Sequence, residues 1–187
     1  ILNMHLSSLF HSDSNSSELI ARLNFVYEVT GQDDFTEDYR LYTEGYRFCA
    51  ELIIETLFKE SKKYKHKRDC IAFPILFLYR HHIELQLKYI ISNARALQGK
   101  SEESFHHHEI SILWKVAEKL MKEIWDKYPP PDELSVAAYY INQLSEIDPK
   151  SFSFRYCVDK KGSSSLPKDL RDIDLLHLKE CMQKFLP

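Results

Sequence analysis

Apolar positions recur along this chain mostly at helical spacing. Leu41, Gly45, Phe48, Cys49, Leu52 and Leu57 form one stripe. Thr36 or Asp38 stands where a cap would open a helix running to about Ser61. Gly45 lies inside that helix, where glycine costs roughly 1 kcal/mol against alanine; close approach of another helix would account for it. A longer helix is predicted over about Ala72 to Leu97, with Pro74 near its start and Gln98-Gly99 at its end. A third, Glu109 to Lys127, places Ile112, Leu113, Val116, Leu120 and Ile124 at core spacing, and Pro129-Pro130-Pro131 stops it. Asp132 caps a fourth to about Ile147, with Leu134, Ala137, Ala138, Ile141 and Leu144 turned inward. A last amphipathic helix covers about Leu170 to Phe185. Near the start, Leu19, Leu23 and Val26 mark a short helix over Glu18 to Val29, behind the polar run "SDSNSS". One stretch departs from this period. Phe152, Phe154 and Tyr156 alternate, which predicts an extended piece or tight hairpin near 151–160, turning at Lys161-Gly162. The sum is an all-α up-and-down bundle of about five main helices over 36–187, preceded by an N-terminal appendage over 1–35.

The second long helix holds charge in an apolar setting. With Phe73 set at zero and 100° per residue, Phe77, Arg80, Glu84, Leu87 and Ile91 fall within roughly 40° of it. His81 flanks this face. His82, Gln86, Tyr89 and Asn93 fall on the opposite side, which is expected to be the wetter one. Arg80 and Glu84 are therefore expected inside, paired at i,i+4, because a lone buried charge costs several kcal/mol. Two roles are open to them. They form an ion pair that fixes helix packing, or they belong to a polar pocket between helices. That pocket would draw in His81, His108, Arg155, Tyr156 and Asp159 and bind a small anionic ligand.

Composition narrows the classes. The chain has 187 residues, 44% apolar and 28% charged, with only 4 glycines, which suits a globular helical domain. Its net charge of −3 argues against a globally basic nucleic-acid binder. A local basic stretch exists in "KESKKYKHKRD", where Lys62, Lys63, Lys65, Lys67 and Arg68 form either a solvated turn or a phosphate-contacting edge. No apolar run is long enough to span a bilayer, and no secretory pattern opens the chain, so a cytoplasmic protein is expected. The chain begins at Ile1 rather than Met, so its native start is expected upstream. Cys49, Cys70, Cys157 and Cys181 show no paired spacing and read as free, mostly buried thiols. His106-His107-His108 lacks the i,i+4 geometry of a helical zinc site, and no phosphate-binding or dinucleotide motif occurs. Neither metal nor cofactor is expected.

Four segments carry a family resemblance. "RHHIELQLK" after "FPILFLY", then "HHEISILW", "SFSFRYCVDKKG" and "DIDLLHLKECM" resemble the motifs of bacterial HEPN-like helical proteins, over roughly Tyr42 to Phe185. Cys157 stands where the pattern has Pro, and Ile110 where it has Leu. The resemblance implies a helical bundle that homodimerises, with RNA and a nucleotidyltransferase-like or antitoxin protein as partners. It further implies a metal-independent ribonuclease of a toxin or phage-defence system, or else a noncatalytic ligand-binding or dimerisation module. The family's Arg-then-His motif matches Arg171 through His177. On that analogy Arg171 would hold the scissile phosphate and His177 would act as base or acid.

Overall fold

The coordinates are a computed structural model that describes residues 35–100, 107–124 and 131–185. The expectations for Glu18 to Val29, for the appendage and for His106 lie outside the described residues. Among those described, the chain is all-α. Five helices occur: α1 (Phe35–Lys59), α2 (Arg68–Leu97), α3 (Ile110–Ile124), α4 (Pro131–Ile147) and α5 (Leu175–Phe185), with a 3₁₀ turn at Lys65–Lys67. Consecutive helices pack in sequence from α1 to α4, and α5 returns to α1.

The bundle is organised around α2. Ile75, Tyr79, Ile83, Leu87, Ile91 and Ala94 meet Ala50, Ile54 and Leu57 of α1 and Ile110, Leu113, Trp114 and Ala117 of α3 in one continuous core. Ile141 and Leu144 of α4 and Met182 of α5 close it. A helix contacted on several sides shows no narrow apolar stripe. For that reason the expected inward face of α2 is only partly right. Arg80, Glu84, Leu87 and Ile91 are buried, but Phe73 is 43% exposed. His82, expected on the wet side, is 3% exposed because α1 packs over it.

Most of the stripe read on α1 is turned to the outside. Gly45, Phe48, Cys49 and Leu52 are exposed; of the stripe only Leu57 is in the core, which Ala50 and Ile54 join, with buried Thr43, from the other side of the helix. A Cβ added at Gly45 would meet nothing within 4 Å, so among the described residues no close approach explains that glycine. The four cysteines are free, yet Cys49, Cys70 and Cys157 are exposed rather than buried.

Helix ends follow local chemistry. α2 stops at Gln98 because Gly99 takes φ 66°, and the Lys100 and Gly99 amides close on the carbonyls of Arg95 and Ala96. That is a Schellman ending, which glycine permits without steric cost. α2 also begins earlier than expected, at Arg68, which places Pro74 beyond its first turn. The 151–156 stretch is not extended. The amides of Arg155 and Tyr156 turn back onto the Phe152 carbonyl, so Phe152 and Tyr156 stack 4.6 Å apart while Phe154 is buried. The tight hairpin comes just after it, with a bridge between Val158 and Ser164 and its turn at Gly162, φ 79°.

Candidate functional site

Arg80 is fully buried, and its guanidinium is held on three sides. Nη1 donates to Glu84 Oε2 at 2.5 Å, Nη2 donates to the His108 carbonyl, and Nε faces Asp148 Oδ2 at 3.6 Å. Glu84 is shared. Its Oε1 accepts from Lys88 Nζ at 2.9 Å and contacts His108 Nδ1 at 2.8 Å. Burial alone would raise the Glu84 carboxyl, but Lys88, His108 and Arg80 together outweigh it and hold it below the ordinary value. Asp148 accepts the Phe152 and Ser153 amides on Oδ1, at 2.6 and 2.9 Å. Two cations, Arg80 and Lys88, therefore meet two carboxylates, Glu84 and Asp148. This network ties α2 to His108, two residues before α3, and to Asp148, just past the end of α4.

Asp148 and Lys88 escaped the sequence reading. A signal for Asp148 was present: an aspartate before Pro149, a few residues short of free amides, is an Asx-turn former. Lys88 is four residues after Glu84, which is itself four after Arg80. That ladder was legible but the pairing was stopped at its first rung.

The remaining polar-pocket candidates separate into two places. His81 stacks on Phe77 at 5.6 Å and meets the Tyr46 ring edge-on at 4.5 Å; burial lowers its pKa. Arg155 lies over Phe77 and Tyr156 and donates Nε to the Ser151 carbonyl at 2.7 Å. His81, Arg155 and Tyr156 thus gather around Phe77 at the edge of the bundle. Asp159 stands apart. It accepts the Lys161 and Ser163 amides, at 2.8 and 2.9 Å, and so shapes the hairpin turn. No one pocket holds the whole set. The described groove is lined by none of these residues.

That groove, about 660 Å³, is formed by the end of α1, the start of α2 and the 166–176 segment. Ile54, Leu57, Ala72, Leu76 and Leu175 make its floor, Phe58 and Phe73 its exposed aromatic walls. Ser61, Arg68 and Asp69 lie on one rim, Arg171, Asp172 and Asp174 on the other. Lys62, Lys63, Lys65 and Lys67 lie exposed between Ser61 and Arg68, beside this rim. Two stretches singled out separately in the sequence, the basic turn and Arg171, therefore meet at one surface.

His177 does not join them. α5 starts five residues later than expected, capped by Asp174: Asp174 Oδ1 accepts the Leu176 and His177 amides at 3.0 and 3.1 Å. Arg171 precedes the helix and lines the groove. His177, in the first turn of α5, places Nε2 3.5 Å from Cys181 Sγ and is not a lining residue.

Among the described residues, no group of three His, Cys, Asp or Glu side chains is placed to hold a metal, and no helix is long and apolar enough to cross a membrane. The chain is defined by its architecture, an all-α bundle braced by a buried ionic network. No family model, curated protein or solved structure matches it.

Proposed function

We propose that this chain is an HEPN-like RNA-binding module whose working surface is the groove between α1, α2 and the 166–176 segment. One observation carries this: Arg68 and Arg171 face a common channel whose walls are the exposed rings of Phe58 and Phe73. Single-stranded RNA binds where cations follow the backbone and aromatic faces receive bases, each stacked base contributing about 1–3 kcal/mol. The lysines of the neighbouring turn extend the cationic edge. Asp69, Asp172 and Asp174 in the same lining disfavour a bare polyanion, so the aromatic contacts are needed for affinity. The buried network serves the fold in this reading, because its charges satisfy one another away from the groove.

Fluorescence anisotropy with a labelled single-stranded RNA at low salt tests the proposal. Binding is expected to weaken with salt, and Arg68→Ala/Arg171→Ala and Phe58→Ala/Phe73→Ala are each expected to reduce affinity by about tenfold or more. Absence of binding by the wild type, or equal binding by both variants, would overturn it.

Cleavage of the bound RNA by Arg171 and His177 is the second reading. It is favoured by Arg171 in the groove and by Asp174, which lines the groove while fixing the His177 amide. A cleavage assay comparing wild type with His177→Ala separates the two: loss of cleavage supports a ribonuclease, and RNA binding with no cleavage by either supports a noncatalytic module.

A further inference from the structure

The groove carries charges of both signs, and they do not neutralise one another. On one rim Arg68 and Asp69 are neighbours; on the other, Arg171 and Asp172. Arg68 Nη2 donates to the Ser61 carbonyl at 3.0 Å, and Asp174 Oδ1 is taken by the two amides that open α5. The side chains of Asp69, Arg171 and Asp172 are engaged by no group among the described residues. The exposed rings of Phe58 and Phe73 likewise have no aromatic stacking partner among the described residues. Asp69 and Phe73 stand four residues apart on α2, so their Cβ atoms share one face about 5–6 Å apart. A flat ring stacked on Phe73 thus turns an edge towards the Asp69 carboxylate.

We infer that the groove selects a guanine base, stacked on Phe73, donating its Watson–Crick N–H groups to Asp69 on one rim and accepting from Arg171 at O6 and N7 on the other. This rests on the RNA-binding reading of the groove and names the base it takes. A carboxylate only accepts, through two adjacent oxygens. Guanine alone among the RNA bases sets two donors side by side on its Watson–Crick edge, N1–H and the N2 amino group. Adenine and cytosine place one amino donor beside a bare ring nitrogen, and uracil places one N–H between two carbonyls. With those three bases the second carboxylate oxygen meets an acceptor and is repelled. The other edge of guanine offers O6 and N7, both acceptors, which an arginine fork meets bidentately. Recognition of an unstacked base by an aromatic face and hydrogen bonds to its edges is the usual way single-stranded RNA is read. The inference also gives a role to Asp69, which opposes a phosphate backbone and which the cations and rings of the groove leave unexplained.

Fluorescence anisotropy on the full chain tests this with four labelled RNAs, an all-uridine decamer and the same decamer with one central guanine, adenine or cytosine. Guanine is expected to tighten binding about tenfold or more over uracil, and adenine and cytosine by less than about threefold. Asp69→Asn replaces one acceptor oxygen by a donor and removes a negative charge. It is expected to abolish the guanine preference while binding the all-uridine RNA more tightly than wild type does. Misfolding cannot produce that pair of opposite signs. Arg171→Lys keeps the charge without the fork and is expected to narrow the preference as well. Guanosine monophosphate is expected to displace the guanine-containing RNA only at about a hundredfold higher concentration or more, because it leaves the lysine edge unfilled; equal potency would overturn RNA as the source of the base. Equal affinity of the wild type for all four RNAs, or an Asp69→Asn protein that keeps the preference, would overturn the base selection and leave the groove reading standing. No binding to any of the four would overturn the groove reading and this inference with it.

Discussion

Acid should loosen this fold through one histidine. His82 Nδ1 lies 2.9 Å from the Thr43 carbonyl, which can only accept, so Nδ1 carries the proton and Nε2 is a bare, buried nitrogen without a partner. Protonating it would put a charge between α1 and α2. Burial, with the Arg47 charge adding to it, lowers the His82 pKa from 6.5 to about 4. In the unfolded chain the ring titrates near 6.5, so below that pH the unfolded state binds the proton and the folded state does not. Stability is therefore unaffected above pH 7 and falls as pH drops from about 6.5 towards 4. At about 1.4 kcal/mol per pH unit the full loss is ~3 kcal/mol, of which ~2 kcal/mol comes between pH 7 and 5. Asparagine at this position can still donate to Thr43 but cannot titrate. Urea unfolding at pH 7 and pH 5 should show wild type losing ~2 kcal/mol more than His82→Asn over that interval. His81 is lowered too, also chiefly by burial, but it is present in both proteins and cancels. The Glu84 carboxyl, held below 4.5, contributes stability that is lost only as pH falls below that value, outside the interval. Parallel profiles for the two proteins would refute the placement of His82 as a neutral core residue.

Other substitutions test the network and the helix ends. Arg80→Met leaves Glu84 and Asp148 without their shared cation and is expected to cost about 3–5 kcal/mol in chemical denaturation. Asp174→Ala removes the α5 cap and should cost about 1 kcal/mol, read by the same method. Ser151 holds φ 57°, a left-handed conformation that favours glycine, so Ser151→Gly should stabilise by about 0.5–1 kcal/mol in thermal unfolding.

Period and punctuation made the helices legible. Gly99 marks the end of α2, Pro131 opens α4, and the inward positions of α3 agree with the core at Leu113 and Leu120. The face of α1 was misread because Phe48 and Leu52 are more hydrophobic than the Thr43 and Ala50 that actually meet α2. Hydrophobicity alone does not say which of two faces a neighbour occupies. The charges of Arg80 and Glu84 were rightly placed inside, since their i,i+4 spacing permits pairing among apolar residues. His82 was misplaced because a central helix is enclosed on more than one side. The groove could not be read at all: its rims lie about a hundred residues apart in the chain, and only folding brings Arg68 and Arg171 to one channel.

The attachment of Arg80 to a main-chain oxygen has a consequence for how this sequence can drift. The His108 carbonyl belongs to whatever amino acid stands there, so position 108 can change and still anchor the start of α3, at the cost only of its ring contact to Glu84. Position 80 has no such freedom, because lysine offers one charged point where three directions must be met. Divergent descendants of this chain would thus vary at 108 while retaining arginine at 80, and would exchange 80, 84 and 148 together for apolar residues or leave all three untouched.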